Sequence, residues 1–516
     1  MGRNPYEVGD HGDTASIGGD SNTRRLGGGS QLALAVTLLL LAGLLLRLPG
    51  IDTPTIEQRE NQSSILARGW YLGDGAGLPS AQQHVLAEVD TVLKPFEPPI
   101  LELAAAGFDR ATGSEVIWFP RLLSALAWVV GGAFVALIGR RMMGAVGVLT
   151  AVALYLVWPY AAWHSRKFMP DALMLSCLLG AVILIVRYLE RPSRGRLAAA
   201  GGAAAVATAI KPGVAFFFVV AVFVGLAASH HRLREETRSG RLPLFVGLAA
   251  SLAGVYVVIG RYATDFINPD AATNRVTPDL LVTTGFWRGW WDMVSFLLRS
   301  PQEQGFLAVL ALAVGALGLL LAPKGTPRTI LLSLVAGYVA FALTVATYTA
   351  THPYYALPLI PILSLAIGVV VGRAYDALAG RRIAQAALVL AVAGVVCGGA
   401  WRAHLLLTTP AKLEVIADYE RIGELTGHTT RALVVDPNLS HPIMYWGWIV
   451  AHGWELDYNE TLPPWVDPDE LDYLIVVGND QFSHAGLSDF ARDRPVVART
   501  DRYTILDITG DREPAG

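Results

Sequence analysis

The sequence predicts a polytopic α-helical membrane protein with about eleven transmembrane helices, ending in a small extracytoplasmic α/β domain. Three observations carry that expectation. Of 516 residues, 53% are hydrophobic and only 16% charged, with a mean hydropathy of +0.43, a balance that excludes an ordinary soluble enzyme. Apolar stretches of roughly 17–25 residues, long enough to cross a hydrocarbon core, recur along most of the chain. Arginine and lysine fall in alternate connections between them, which sets an orientation by the positive-inside bias. A net charge of −3 leaves no basic surface for nucleic acid. Cys177 and Cys397 both lie in apolar runs and build neither a disulfide framework nor a zinc site.

Residues 1–30, rich in Gly, Asp, Ser and Asn, read as a disordered cytoplasmic tail. Arg24 and Arg25 precede a Leu-rich run from Gln31, and Arg47, Pro49 and Gly50 follow it with no small-residue cleavage site. That pattern is an uncleaved first helix rather than a signal peptide. Further spans are expected near 120–138, 145–163, 172–189, 243–260, 305–322, 329–347, 356–372 and 384–401. Two shorter runs, 197–209 and 213–229, meet at Lys211-Pro212-Gly213, where proline and glycine break a helix. No tandem repeat or two-halves symmetry is visible.

With the N-terminus in the cytoplasm, the inside connections hold Arg140 and Arg141; Arg187, Arg191, Arg194 and Arg196; Arg232, Arg234, Arg238 and Arg241; Lys324 and Arg328; and Arg373, Arg381 and Arg382. Segments 51–119, 164–171, 261–303 and 350–355 then lie outside a plasma (cytoplasmic) membrane and carry most of the carboxylates. A transmembrane region over 31–401 is followed at 402–516 by short strand-like stretches alternating with helical patterns, the expected outer domain.

The first outer loop, 51–119, is far longer than a connection between neighbouring helices requires, and such loops usually carry function. After Pro54 the pattern is helical, placing Glu57, Glu60 and Asn61 on one face by their spacing and leaving Ile65, Leu66 and Trp70 to rest on the bilayer interface. The acids then face a cleft at the membrane surface; the alternative is an amphipathic helix with solvated charges. Asp171, after Met169-Pro170, either serves a site or caps the following helix. Glu97, ahead of Pro98-Pro99, and His352, on a separate outer turn, are compatible with a divalent metal site of carboxylate and imidazole, although their spacing is no metal signature. Trp287, Trp290 and Trp291, with Arg288 and Asp292, read as an interfacial aromatic belt. His230 and His231 read as solvated, and His441, His452, Trp446, Trp448 and Trp454 as core or surface residues of the terminal domain.

The string Glu57-x-Arg59-x-x-Gln62, followed by Ala67-Arg68, resembles the first-loop motif of GT-C type polyprenyl-phosphate-dependent glycosyltransferases. These form the protein O-mannosyltransferase and aminoarabinose-transferase superfamily, glycosyltransferase family 39. Lys94-Pro95-Phe96-Glu97-Pro98-Pro99-Ile100-Leu101-Glu102 resembles the Pro-rich segment later in that loop. His164-Ser165-Arg166-Lys167-Phe168-Met169-Pro170-Asp171-Ala172-Leu173 resembles the Ser-Arg-x-x-x-Pro-Asp-Ala-Leu turn between the third and fourth spans. Lys211-Pro212 and His352-Pro353-Tyr354-Tyr355, with Pro358 and Pro361, complete a series in family order from about 45 to 370. One departure is Gln62, where many relatives carry aspartate; members with Gln there carry a glutamate at the position of Glu57.

The resemblance implies a hexosyl- or pentosyltransferase that takes sugar from a polyprenyl-phosphate donor and gives it to a hydroxyl of a protein, glycan or lipid on the outer face, with inversion by single displacement. The departing phosphate needs cations where its charge develops, and Arg59, Lys94, Arg166 and Lys211 are the candidates. Paired donors on a guanidinium favour the two arginines, with snorkelling at a helix end as the alternative for Arg166 and Lys167. Glu57 is the first candidate for the base and Glu60 the second. The rival functions are a transporter or flippase of lipid-linked sugar, and a non-catalytic sensor on a transferase-like body. A transporter places ionisable groups near the bilayer midplane, and these spans are nearly free of them.

Overall fold

The computed structural model describes residues 21–95, 97–263, 276–298, 306–456 and 459–511. Most of the expected tail, and part of the expected outer segment 261–303, lie outside the described residues. What is described of the tail differs from expectation: helix α1 runs over Ser21–Arg47, beginning before the Leu-rich run.

The first loop folds into α2 (Gln58–Leu72), α3 (Ser80–Val92) and α4 (Ile100–Thr112). The bundle continues through α5 (Trp118–Gly139), α6 (Ala145–Val157), the short α7 (Pro159–His164), α8 (Asp171–Glu190), α9 (Arg194–Ile210), α10 (Pro212–Ser229), α11 (Leu233–Arg238) and α12 (Arg241–Val258). After them come α13 (Thr284–Leu298), α14 (Phe306–Leu321), α15 (Thr326–Thr344), α16 (Ala346–Thr351), α17 (Leu359–Ala377) and α18 (Arg382–Leu407). Among the described residues eight helices are long and apolar enough to cross a membrane, and α6 and α14 are shorter apolar helices. With α9, each expected span contains a helix.

One expected span is broken. The stretch 145–163 is interrupted at Trp158, whose ψ of 119° is the extended backbone that a following proline imposes. The length of the apolar run conceals this break, which turns α7 aside and delivers His164 to the end of the bundle. Lys211, at φ −147° and ψ 85°, makes the corresponding break between α9 and α10, with Pro212 at the first helical position, where its missing N–H costs nothing.

The terminal region contains α19 (Leu413–Leu425), α20 (Ser440–Gly447), α21 (Ala485–Ala491) and strands β1 (Ala432–Val435), β2 (Ala451–Gly453), β3 (Tyr473–Val477), β4 (Val496–Arg499) and β5 (Tyr503–Asp507). The strands form one sheet in the order β2-β1-β3-β5-β4. β1 pairs parallel with β2 and β3, while β5 pairs antiparallel with β3 and β4. Because alternate side chains face opposite ways, Leu433, Leu474 and Leu506 enter a core with Trp454 and Leu487. Val434, Ile475 and Ile505 face a second core, which takes in Ile65 and Leu66 of α2 and Val85 and Val89 of α3. Ile65 and Leu66 therefore pack beneath the sheet, not on the bilayer. An apolar stripe needs an apolar neighbour, and the sheet supplies one closer than lipid.

Candidate active site

Glu57 precedes helix α2 as its cap residue, and Asn61 closes the first turn by donating to the carbonyls of Thr55 (3.1 Å) and Glu57 (2.9 Å). Glu57 and Glu60 do not share an environment. The Glu57 side chain is 46% exposed and meets Lys167 Nζ at 2.9 Å. Glu60 is buried against Arg121 Nε at 2.6 Å and accepts the Phe168 N–H at 3.0 Å. Burial works against its charge, but the adjacent Arg121 guanidinium outweighs that and holds its pKa below the ordinary glutamate value. Arg121 also donates to the carbonyls of Ile51 (3.0 Å) and Thr53 (2.6 Å), fastening the start of the loop to the head of α5.

Residues 164–171 gather the rest. Ser165 Oγ accepts from Arg47 Nε at 2.8 Å. Arg166 donates to the carbonyl of Leu407 at 2.5 Å and to that of Pro49. Lys167 lies 3.4 Å over the Trp163 ring; burial lowers its pKa, and Glu57 and Glu60 oppose that effect. A cleft of about 490 Å³ opens here, lined by Glu57, Arg166 and Lys167 on one side and by Lys412 and Asn438 on the other.

Beside the cleft lies a chamber of paired charges, buried except at Arg59, whose side chain is 25% exposed. Arg59 pairs with Glu97 at 2.5 Å and donates to Gln62. The departure at Gln62 thus gives Arg59 a neutral partner, with Glu97 as its carboxylate. Ser63 donates to Glu102 at 2.8 Å; burial holds the Glu102 carboxyl above its ordinary pKa. Asp171 meets Lys211 Nζ at 2.6 Å and His164 Nε2 at 3.6 Å. Among the described residues, both ring nitrogens of His164 and Asp171 Oδ2 are buried without a hydrogen-bond partner. The His164 ring stacks between Tyr160 and Tyr354, at centroid distances of 5.6 and 5.5 Å, and Lys211 Nζ sits 4.8 and 4.7 Å from the rings of Tyr354 and Tyr355.

All the sequence motifs therefore end at one pole of the bundle. Glu57, Glu60, Arg166 and Lys167 form or border the cleft; Arg59, Glu97, Asp171 and Lys211 form the chamber; Lys94 is half-buried between α3 and α4. Sequence reasoning missed Arg121, an arginine at the head of a span and a signal in itself. It also gave no role to His164, Tyr354 or Tyr355, which it quoted only as parts of motifs.

The terminal domain clamps α2. Arg68 pairs with Glu115 at 3.0 Å, donates to the Tyr445 carbonyl at 2.6 Å and lies 3.8 and 4.3 Å from the rings of Tyr445 and Trp448. Trp446 Nε1 donates to the Thr55 carbonyl at 2.9 Å, and the His441 N–H to Gln58 Oε1 at 3.0 Å. Trp446 and Trp448 are thus contacts to the loop as well as domain residues. On the far flank, Trp290 Nε1 donates to Tyr338 at 3.0 Å, while Trp287 and Trp291 are exposed.

The donor set does not fit a divalent metal held by this chain's side chains alone. Glu97 is committed to Arg59, and no group of three or more His, Cys, Asp or Glu comes together among the described residues. Burial, with Lys211 and Arg59 nearby, pushes the His352 pKa down to about 4; cations that disfavour an imidazolium also disfavour a dication.

A family model described as dolichyl-phosphate-mannose-protein mannosyltransferase matches residues 96–260. No curated protein matches the chain by sequence. Among solved structures, ArnT from Cupriavidus metallidurans bound to undecaprenyl phosphate superposes with a TM-score of 0.57 at 14% identity, covering 94% of this chain and 98% of that one. The apo state of the same protein gives 0.53 at 14% identity, covering 95% and 100%. The Archaeoglobus fulgidus oligosaccharyltransferase in complex with Zn and sulfate gives 0.54 at 10% identity, covering 87% of this chain and 69% of that one. The chain has the GT-C membrane glycosyltransferase fold, and the resemblance read from its motifs is borne out.

Proposed function

We propose that this chain transfers a sugar from a polyprenyl-phosphate donor to a hydroxyl of a protein, glycan or lipid acceptor at the extracytoplasmic face of the plasma membrane. One observation carries the reading: four motifs far apart in sequence meet in one chamber, where Arg59 and Lys211, each held by a carboxylate, stand beside a cleft holding the accessible carboxylate Glu57. The undecaprenyl phosphate bound by the ArnT relative supports the donor class. The basic connections at the opposite pole support an outward-facing site.

In this reading the acceptor enters the cleft and Glu57 takes its hydroxyl proton. The acceptor oxygen bonds to the anomeric carbon as the bond from that carbon to the phosphate oxygen breaks, and the electron pair leaves with polyprenyl phosphate. Arg59 and Lys211 stabilise the charge gathering on the phosphate. Glu97 and Asp171 neutralise these cations while no phosphate is present, and Glu60 is a positioning residue through Arg121 and Phe168. Arg166, whose guanidinium is engaged by backbone carbonyls, positions the turn. No part is assigned to Lys94 or to a metal at Glu97 and His352.

The purified chain, given a radiolabelled polyprenyl-phosphate sugar, is expected to release polyprenyl phosphate, and Glu57→Gln and Arg59→Ala are expected to abolish release. Undiminished release in both variants rejects the site. Solute uptake into vesicles without glycosyl transfer rejects the transferase in favour of a transporter.

A further inference from the structure

At the pole opposite the chamber, a second polar pocket lies outside the proposed chemistry. Helix α5 carries Arg121 at its head and spans 22 residues, about 33 Å at 1.5 Å per residue, before the chain turns through Arg140–Gly144 into α6. That turn meets the foot of α17 because α6 and α17 touch backbone to backbone. A Cβ on Gly147 would come 2.6 Å from the Gly368 carbonyl oxygen, and one on Gly368 would come 2.7 Å from that of Gly147. With Gly372 one turn further on, this is the small-residue packing that membrane helices use for close approach. It brings Arg373 and Asp376 beside Arg140 and Arg141.

The result is a pocket of about 310 Å³ lined by Arg140, Arg141, Arg373 and Asp376, with Met143 and Pro323 among its apolar walls. Arg141 pairs with Glu190 at the end of α8. Among the described residues the guanidinium groups of Arg140 and Arg373 make no hydrogen bond or ion pair, and neither does the Asp376 carboxylate. With Arg141 paired to Glu190, Arg140 and Arg373 against Asp376 leave an excess of one positive charge. The pocket sits where α5 and α17 end, the level at which a span of this length meets lipid headgroups, and its apolar wall suits the glycerol and upper chains of a lipid better than a hydrated free ion.

We propose that this pocket binds the phosphate headgroup of an anionic phospholipid through Arg140 and Arg373, remote from the transferase site. Its occupant is a component of the bilayer, not the sugar donor.

Native mass spectrometry of the full chain, titrated in detergent with dioleoyl phosphatidylglycerol, dioleoyl phosphatidylcholine or inorganic phosphate, tests this. Phosphatidylglycerol is expected to be retained in preference to phosphatidylcholine. Arg140→Gln with Arg373→Gln is expected to weaken that retention about thirtyfold, with release of polyprenyl phosphate unchanged as the check on folding. Asp376→Asn, which keeps both arginines, is expected to tighten it several-fold. Equal retention of the two lipids, retention indifferent to the double variant, or no change in Asp376→Asn overturns the proposal. Inorganic phosphate reproducing the whole effect marks a free-anion site and overturns the lipid assignment.

Discussion

The cleft and the chamber share the α7–α8 turn but treat charge in opposite ways. In the cleft, Glu57 is nearly half exposed, while its partner Lys167 is buried, its side chain 9% exposed. In the chamber, Asp171 and Lys211 are both 3% exposed and paired at 2.6 Å. Exposed pairs contribute little to stability because water screens them, whereas removing one member of a buried pair strands a charge. The chamber, buried on both sides of its pair, is therefore expected to be the larger structural commitment, while the cleft, where only Lys167 is buried, commits less.

The largest effect is expected in the chamber. Lys211→Met leaves Asp171 uncompensated and should lower unfolding stability by about 3–5 kcal/mol, with release of polyprenyl phosphate lost. Adding Asp171→Asn should restore most of the stability without restoring release. Recovery of release in the double variant would show that the pair only holds the fold. Thermal unfolding and single-turnover release measure the two quantities separately.

Glu57→Gln is expected to be the reverse case. Release should fall by roughly 10²–10⁴-fold, the range for loss of a general base, while the loss of stability stays below that at Lys211, because Glu57 is half in water and Gln keeps an acceptor for Lys167. A comparable loss of stability would erase the distinction between cleft and chamber. A smaller effect is expected where the terminal domain grips α2: Arg68→Ala removes the contacts with Tyr445, Trp448 and Glu115 and should cost about 1–3 kcal/mol. Hydrogen exchange should show α2 and the sheet loosening together, whereas the ends of α5 should stay protected.

The smallest effect is a pH dependence at the chamber's margin. His352 is held near pKa 4 in the folded chain, against about 6.5 when unfolded. Between these values the unfolded chain binds more protons, so stability contributed by this residue is present above about pH 6.5 and declines as pH falls towards 4. Melting curves of His352→Asn should flatten across that window.

Much of this was legible because polar residues at the margins of apolar runs stand out. Glu57, Arg59, His164 to Asp171, Lys211 and His352 to Tyr355 could be picked out before any fold was known, and the GT-C fold was implied by the resemblance of these motifs to that family. Their pairings could not. Glu60 finds Arg121 61 residues later, and Trp446 reaches Thr55 across 391 residues; local pattern holds no record of either. The destination of Ile65 and Leu66 was equally hidden, since bilayer and sheet both reward apolar burial. Pro159 was in plain sight, but an uninterrupted hydropathy run says nothing of a bend within it.

The Arg166 contact with the Leu407 carbonyl carries a consequence for biosynthesis. Its two partners are 241 residues apart, which at ribosomal speeds of about 5–20 residues per second separates their emergence by roughly 12–48 s. Throughout that interval a nascent chain already threaded into the bilayer carries the arginine without its final acceptor. Truncated products ending before residue 407 would thus hold this turn only through partners made earlier, the Pro49 carbonyl and Glu60, with its last fastening waiting for the end of the bundle.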